Sequence, residues 1–384
     1  MKVELHIIQN FAPSCLNRDD TNAPKDCEFG GFRRARISSQ CIKRTIRTSP
    51  IFKEMLQGHL GFRTKLLVKL LSDNLKEAKM DPGEIERVVP KFVEQYCGLD
   101  EENKTKVLLY LGQDEVERIA SALKENWAQL VATVAEGEAR GDETKRGKKK
   151  EENQNPFVVL AREVAKNAVG ATKAVDIALF GRMVAESPTE NIDAACQVAH
   201  AISTHRVNME MDFYTAVDDI SNETGAGMMG TVEFNSACFY RYSLLDLNQL
   251  VKNLYGDRDL ALRAVEAFLK ASIEAIPTGK QTSMAAQNPP SFILTVVRES
   301  GAPQSLANAF ERPVIPALGE DRGLVVQSIE RLDHYWGRLA KMYGQDGVKT
   351  RPVCTLEDAR LANLGDQLVP TVKDLVTAVR EALA

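Results

Sequence analysis

The sequence predicts an α+β or α/β chain with a helical subdomain inserted into it. Three observations lead there: strand-like alternation near both ends, helical periodicity filling residues 55–135, and the lack of any internal repeat that would build a solenoid. At roughly 100–200 residues per domain, 384 residues suggest two or three folding units. With 44% hydrophobic and 27% charged residues there is ample apolar surface for a core.

Val3, Leu5 and Ile7 alternate and predict a first strand with one buried face. A loop rich in Asn, Asp, Pro and Gly is expected from Asn10 to Gly31, then a second extended segment from Phe32 to Ile37. Ser38 and Ser39 offer N-caps to a helix over Gln40–Thr48, with Ile42 and Ile46 inward. Leu66, Leu67, Leu70, Leu71 and Leu75 form one helical stripe, and Val116, Ile119, Ala120, Leu123, Trp127 and Leu130 form another. A third helix starts after Asp81-Pro82-Gly83 and is ended or kinked at Pro90. Residues 136–155 hold one alanine as their sole apolar residue and are expected to be a solvated loop.

Farther on, a small helix is expected around Ile192–Ile202. A turn-rich region and a strand through Thr231–Phe234 follow, and the strand continues through Cys238, Tyr240 and Tyr242. Leu262, Val265, Leu269 and Ile273 mark a helix over Asp257–Ile276, stopped by Pro277. Ser291–Val297 reads as a strand. The last helix opens at Pro370 with Val372, Leu375, Val376 and Val379 inward.

The formal net charge is −4, which disfavours a protein that coats nucleic acid indiscriminately, so any affinity for it must be local. Seven scattered cysteines without a C-x-x-C pair point to a reducing cytoplasm. Glu4 and His6 interrupt the opening apolar run, so no signal peptide is expected, and no stretch approaches 18 apolar residues.

Against that balance one segment stands out. Between Phe29 and Lys53 there are seven basic residues and no acidic one. Lys43, Arg44 and Arg47 fall on one helical face, opposite Ile42 and Ile46. The helix start behind Ser38-Ser39 offers backbone N–H groups and the positive dipole end to a phosphate. A polyanion with regularly spaced phosphates suits this better than a small anion does; a merely solvated basic face is the alternative.

Other constellations are weaker. Gly225-Ala226-Gly227-Met228-Met229-Gly230 fits G-x-G-x-x-G but precedes a strand, whereas dinucleotide binding needs a helix there. Cys196 and His200 on one helix face, with His205 nearby, lack a fourth metal ligand, so a core or capping role is expected. Asp19, Asp20 and Asp26 could hold Mg²⁺ for a nuclease, although loop carboxylates beside Arg18 and Lys25 are more often salt-bridge partners. Phe213 and Tyr214 are adjacent aromatics in a turn-rich segment. Exposed, they could stack on or wedge between bases; otherwise one of the two is core.

Seven motif blocks in one order resemble a known family: SCLNRDD (14–20), FGGFRRARISSQCIKR (29–44), VDIALFGRM (175–183), AHAISTH (199–205), DFYTAVDD (212–219), FYRY (239–242) and GKQTSMAAQNP (279–289). They closely resemble the CRISPR Cascade backbone subunit of type I-E systems, the CasC family. The match covers the first 50 residues and most of 170–310, and fades across 55–165 and the last 70 residues.

The resemblance implies an α+β, right-hand-like fold. Its palm would be a modified RRM (ferredoxin-like) domain built from 1–54, 170–204 and 231–384, with helical fingers at 55–169 and a β-hairpin thumb at 205–230. No RNP1 aromatic signature is present, so RNA would not cross the sheet as in an ordinary RRM. Copies of such proteins stack along the spacer of a CRISPR guide RNA (crRNA), and each thumb displaces a base before target DNA pairs. The implied partners are crRNA, target DNA through the guide, other copies and other Cascade subunits, with no membrane, cofactor or metal. The implied backbone clamp is Arg18, Lys25, Gln40, Lys43, Arg44 and Arg47. Met183 would pack where a base is kinked out, Lys280 and Gln281 would line the RNA path, and Phe213 and Tyr214 would be the wedge. The competing expectation is a metal-dependent RNase using the loop aspartates.

Overall fold

The structure is a computed structural model describing residues 1–139, 157–159, 172–183, 191–216, 220, 228–316 and 322–384. Along the chain run β1 (Lys2–Ser14), β2 (Asp26–Phe29), β3 (Phe32–Ile37), α1 (Ser39–Thr48), α2 (Pro50–Met55) and β4 (Gly61–Thr64). Next come α3 (Leu67–Glu77), α4 (Pro82–Cys97), β5 (Leu109–Gly112), α5 (Gln113–Glu125), α6 (Trp127–Ala139) and α7 (Val175–Phe180). β6 (Cys196–Val198), β7 (Ala201–Ser203), β8 (Glu210–Ala216) and β9 (Met228–Asp246) lead to α8 (Leu247–Asn253) and α9 (Arg258–Glu274). The chain ends with α10 (Gln281–Met284), β10 (Phe292–Arg298), α11 (Leu324–Tyr343), β11 (Val348–Thr350), β12 (Val353–Thr355) and α12 (Val372–Leu383).

Two compact units result. The first comprises Met1–Met55, Cys196–Asn248 and Leu262–Ala384. Its frame is an antiparallel sheet in the order β11-β10-β1-β9-β7-β3-β2, with β12, β6 and β8 pairing off that path. β1 lies between β10 and β9 and is buried on both faces, not on one as its alternation suggests. The even face packs Ile8, Tyr240, Phe292 and Leu294 against Phe310, Leu332 and Trp336 of the segment ending in α11. On the odd face, Phe11, Ile37, Ile42, Arg241 and Ala275 surround one small gap, which puts α1 and the end of α9 there.

Burial on both faces explains why Glu4 and His6 stand in this strand. The Glu4 carboxylate takes a hydrogen bond from Arg298 Nε and another from Gln304 N at 2.9 Å, while His6 Nδ1 meets Tyr240 Oη at 2.9 Å. Burial pushes the Glu4 carboxyl up, but His6 and Arg298 outweigh it and hold it below the usual range. Removing one partner of a buried pair leaves the other charge uncompensated. Glu4→Ala is therefore expected to cost about 3–5 kcal/mol, read as a lower urea midpoint. The depressed carboxyl also fixes the sign of a pH effect. The advantage of the wild type over Glu4→Gln is present above about pH 4.3 and shrinks as pH falls below it.

The second unit, Leu56–Ala195 with Gln249–Ala261, is mainly helical. Leu67, Leu71 and Leu75 pack with Phe92, Val116, Ile119, Leu123 and Leu130, as the stripes predict, whereas Leu66, expected in the same stripe, precedes α3 and is exposed. The second stripe is split between α5 and α6 at Asn126, and Pro90 lies within α4, which continues to Cys97. This unit extends beyond the 55–169 expected of the insertion. Asp176 holds α7 to β4 and β5, accepting from Gly61 N at 2.7 Å and Tyr110 Oη at 2.6 Å. Of the expected loop, 136–139 continue α6 and 140–155 lie outside the described residues.

Two local expectations are corrected. The Asn10–Gly31 loop is shorter, because β1 runs on to Ser14 and β2 begins at Asp26. Ile192–Ile202 is not a helix: Cys196 pairs with Leu245 and Ile202 with Tyr240, giving β6 and β7. Cys196 and Val198 are buried while Gln197 is exposed, a two-residue period that a five-residue apolar scatter conceals. The strand expected through 231–242 is present as the middle of the longer β9.

Candidate nucleic-acid interface

α1 forms as its sequence dictates. Ser38 is extended, and its Oγ accepts from Cys41 N at 3.3 Å. Ile42 and Ile46 are buried, Gln40 and Arg44 are exposed, and Lys43 and Arg47 are half-buried. The helix start is less open than expected, since Asn17 Oδ1 takes Ser38 N at 2.8 Å and Ser38 Oγ takes Cys41 N. Lys43 leans toward β6: burial pushes the Cys196 thiol up to about 12, and the Lys43 charge opposes that rise.

A loop over residues 15–25 packs beside α1. Asn17 O accepts Lys25 N at 2.8 Å, and Lys25 O accepts Arg36 N at 2.9 Å. Arg18 Nη1 donates to Asn22 Oδ1 at 3.0 Å. The half-buried Lys25 thus lies near Cys41 and the exposed His200. Burial raises the Cys41 thiol against Lys25 and Arg44, and burial, Arg36 and Lys25 together lower the His200 imidazole. Arg36 donates to Asp26 O at 2.9 Å and meets His200 Nδ1 at 3.0 Å. Lys25, Arg36 and Arg44 are therefore one cationic cluster, with the His200 imidazole held neutral beside them and Asp19, Asp20 and Asp26 lining the same cavity as Lys25 and Arg36.

Arg36 was missed as an individual site, and His200, expected in a core or capping role, is instead exposed and meets Arg36. Arg36 stood inside the basic run, but nothing local separates it from its neighbours. Arg34 is fully buried, donating to Ser203 O, Phe310 O and Glu311 O at 3.0, 2.7 and 3.1 Å, and Arg33 pairs with Asp26. The close approach of Phe310-Glu311 to the β2–β3 turn requires glycine at position 30, where φ is +62° and a Cβ would lie 1.9 Å from Glu311 O.

Lys280 reaches the same region from the other side. A Cβ on Gly279 would lie 2.6 Å from Cys15 O and 2.5 Å from Leu16 O, so this loop packs directly on the 15–25 loop. Burial raises the Cys15 thiol, and Arg18 and Lys280 both act against that rise. Gln281 Nε2 donates to Pro277 O at 3.0 Å and Ala286 O at 3.3 Å, which ties the loop that carries Lys280.

Two of the three loop aspartates, Asp19 and Asp26, are engaged in structure. Asp19 Oδ1 accepts from Thr21 N, Thr21 Oγ1 and Ala23 N at 2.9, 2.8 and 3.0 Å, and these bonds hold its carboxyl low. Asp26 pairs with Arg33. Among the described residues no group of three His, Cys, Asp or Glu could hold a metal. His205 has a capping role, its Nε2 accepting Cys238 N at 3.3 Å. The G-x-G-x-x-G segment lies mostly outside the described residues, and Met228–Gly230 begin β9.

β8 and the start of β9 form a hairpin with Phe213 opposite Thr231 and Tyr214 opposite Gly230. Every residue of β8 is exposed, including Phe213 at 62% and Tyr214 at 41%, so neither aromatic is a core residue. The Tyr214 ring lies over Gly230, where a Cβ would sit 2.5 Å from its Cζ.

Met183 belongs to the second unit. Gly181 ends α7 at φ +80°, and Arg182 is buried, donating to Glu115 at 2.8 and 2.9 Å and to Tyr110 O at 3.0 Å. Burial pushes the Glu115 carboxyl up, with Arg182 opposing it. Anchoring Arg182 presents the next residue outward, and Met183 is 85% exposed.

All seven cysteines are free thiols, and among the described residues no helix is long and apolar enough to cross a membrane. No curated protein matches the chain. The family described as CT1975-like protein matches over residues 3–378. Two solved structures are similar along the full length of both chains. One, "CRISPR RNA-guided surveillance complex, pre-nicking", is 31% identical with a TM-score of 0.79. The other, "CRISPR RNA-guided surveillance complex", is 26% identical with a TM-score of 0.61. The mixed α+β architecture and antiparallel sheet match those subunits. With the family spanning nearly every residue and the fold shared end to end, the chain belongs to the CT1975-like protein family and is a CRISPR protein of the Cascade type.

Proposed function

We propose that this chain is the crRNA-binding backbone subunit of a Cascade surveillance complex, of the type I-E CasC kind that its motif blocks resemble. In this reading it is a non-catalytic scaffold. Copies stack along the spacer, hold the guide by its phosphates, present it to target DNA and contact other Cascade subunits at the ends.

The observation that carries the proposal is the cationic cluster. A net-negative chain gathers Lys25, Arg36 and Arg44 from a loop, a strand end and a helix, with the neutral His200 as an acceptor for Arg36 and with Arg18 and Lys280 beside Cys15. Local positive charge on an acidic protein suits one organised polyanion held through its backbone. The palm reading is supported by topology. The order β10-β1-β9-β7, with α1 before β7 and α9 before β10, is the β-α-β-β-α-β arrangement of a ferredoxin-like sheet with insertions. The β8–β9 hairpin, exposed throughout β8, supports the thumb reading.

The test is to express the protein beside a CRISPR array and sequence the RNA that co-purifies. Spacer-containing RNA of CRISPR length is expected, and complementary RNA added with Mg²⁺ should remain intact. Recovery of no RNA, or cleavage lost on Asp19→Ala or Asp20→Ala, would overturn this reading.

A further inference from the structure

Arg331, His334, Tyr335 and Arg338 follow one face of α11 and line a single cavity of about 260 Å³. Glu311 and Arg312, from the segment preceding α11, form the opposite wall. Three guanidinium groups thus border one space with one carboxylate among them. Arg312 and Arg338 are exposed, while Arg331 is half-buried and donates to Pro313 O at 3.3 Å. Burial lowers the Arg331 pKa and the neighbouring Arg312 lowers it further.

This cavity is linked to the cationic cluster on the same unit. Burial lowers Arg34, and Arg331 adds to that effect. Arg34 stands two residues from Arg36 on β3, and both bear on the Cys27 thiol, which burial raises. Buried Arg34 therefore lies within electrostatic reach of both Arg331 and the Cys27 thiol that Arg36 also acts on.

We propose that the cavity between α11 and Glu311-Arg312 is a second phosphate site for bound nucleic acid, distinct from α1. The inference rests on the nucleic-acid reading given above. Guanidinium forks match phosphate oxygens in planar, bidentate geometry, and the Tyr335 ring on the wall suits an adjacent sugar or base. The volume lies below the range of about 300–1,000 Å³ typical of small-molecule pockets. It admits a phosphodiester with some water and not a helix or a strand of a partner.

The test compares Arg312→Gln with Arg338→Gln, wild type, and the α1 variant Lys43→Glu with Arg44→Glu. Both cavity arginines are exposed, so the core is left intact. Each protein is titrated with guide-length RNA, and each guide-loaded protein with complementary DNA, over a range of salt. The cavity variant is expected to lose roughly tenfold in one arm, with the salt slope reduced by about 0.7–0.9 per arginine. Loss in the RNA arm assigns the phosphate to the guide, and loss only in the DNA arm assigns it to the target. Unchanged affinity and slope in both arms, with wild type binding tightly, overturns the second site and leaves the proposed function standing. Loss of self-association alone, with both arms unchanged, also overturns it and assigns the cavity to an acidic surface of another copy. Failure of wild type to bind RNA overturns the proposed function itself.

Discussion

Lys43→Glu with Arg44→Glu is expected to yield a folded protein that does not retain guide RNA. The fold survives because α1 is held by Ile42 and Ile46, which are buried, and by the Ser38 cap, none of which changes. Glu also has nearly the helix propensity of Lys and Arg. Binding fails because each lost hydrogen bond between charged partners costs roughly 1.5–3 kcal/mol. Two such losses weaken each copy's hold on RNA by roughly 10²–10⁴-fold. Reversal adds repulsion against the remaining phosphates, and every copy on one guide carries it. The effect is independent of spacer sequence, because phosphate contacts carry no sequence information. Gel filtration at physiological salt, with absorbance at 260 and 280 nm, reads RNA retention, and circular dichroism checks the fold. Normal retention would make α1 a solvated basic face only.

Phe213→Ala with Tyr214→Ala separates target recognition from guide loading. Both rings are exposed on β8, so truncation opens no core cavity. Backbone contacts made elsewhere supply most of the guide affinity, so guide-loaded complexes should form nearly as well as wild type. A stacked or wedged ring is worth roughly 1–3 kcal/mol per base. If each copy places one hairpin against the guide, that term recurs along the whole filament. Target DNA affinity should then fall by well over the tenfold that one ring implies. Filter binding of guide and target to one preparation measures both quantities. Target affinity unchanged beside normal guide loading would mean that these rings do not touch the paired strands.

Much of this was legible in the sequence because the signals are local. Ser38 followed by Ile42 and Ile46 marks a capped amphipathic helix, and α1 follows it closely. The leucine stripe of α3 and the Val265–Leu269–Ile273 face of α9 likewise carry their periodicity within a few turns. The cationic segment was legible as an excess of one charge. The aromatic pair was legible too, but with two readings, since adjacent strand residues face opposite sides and sequence cannot say whether either side is covered. Exposure on both faces of β8 decided that.

The sequence by itself determined the capped basic helix, the helical insertion, the order of motif blocks and the family they resemble. Only the tertiary structure decided which charges remain at the surface. Arg34 and Arg36 are two residues apart in one basic run, yet Arg34 is spent on carbonyls 169 and 276 residues away while Arg36 meets His200. The same holds for β6, read as helix until its pairing with Leu245 of β9 is known, and for Glu4, a solvent residue by pattern that is buried against Arg298. The physical reason is common to all three. Helix caps and apolar periods act over a few residues, whereas the partner that satisfies a buried strand or a desolvated charge is brought by the fold from far along the chain.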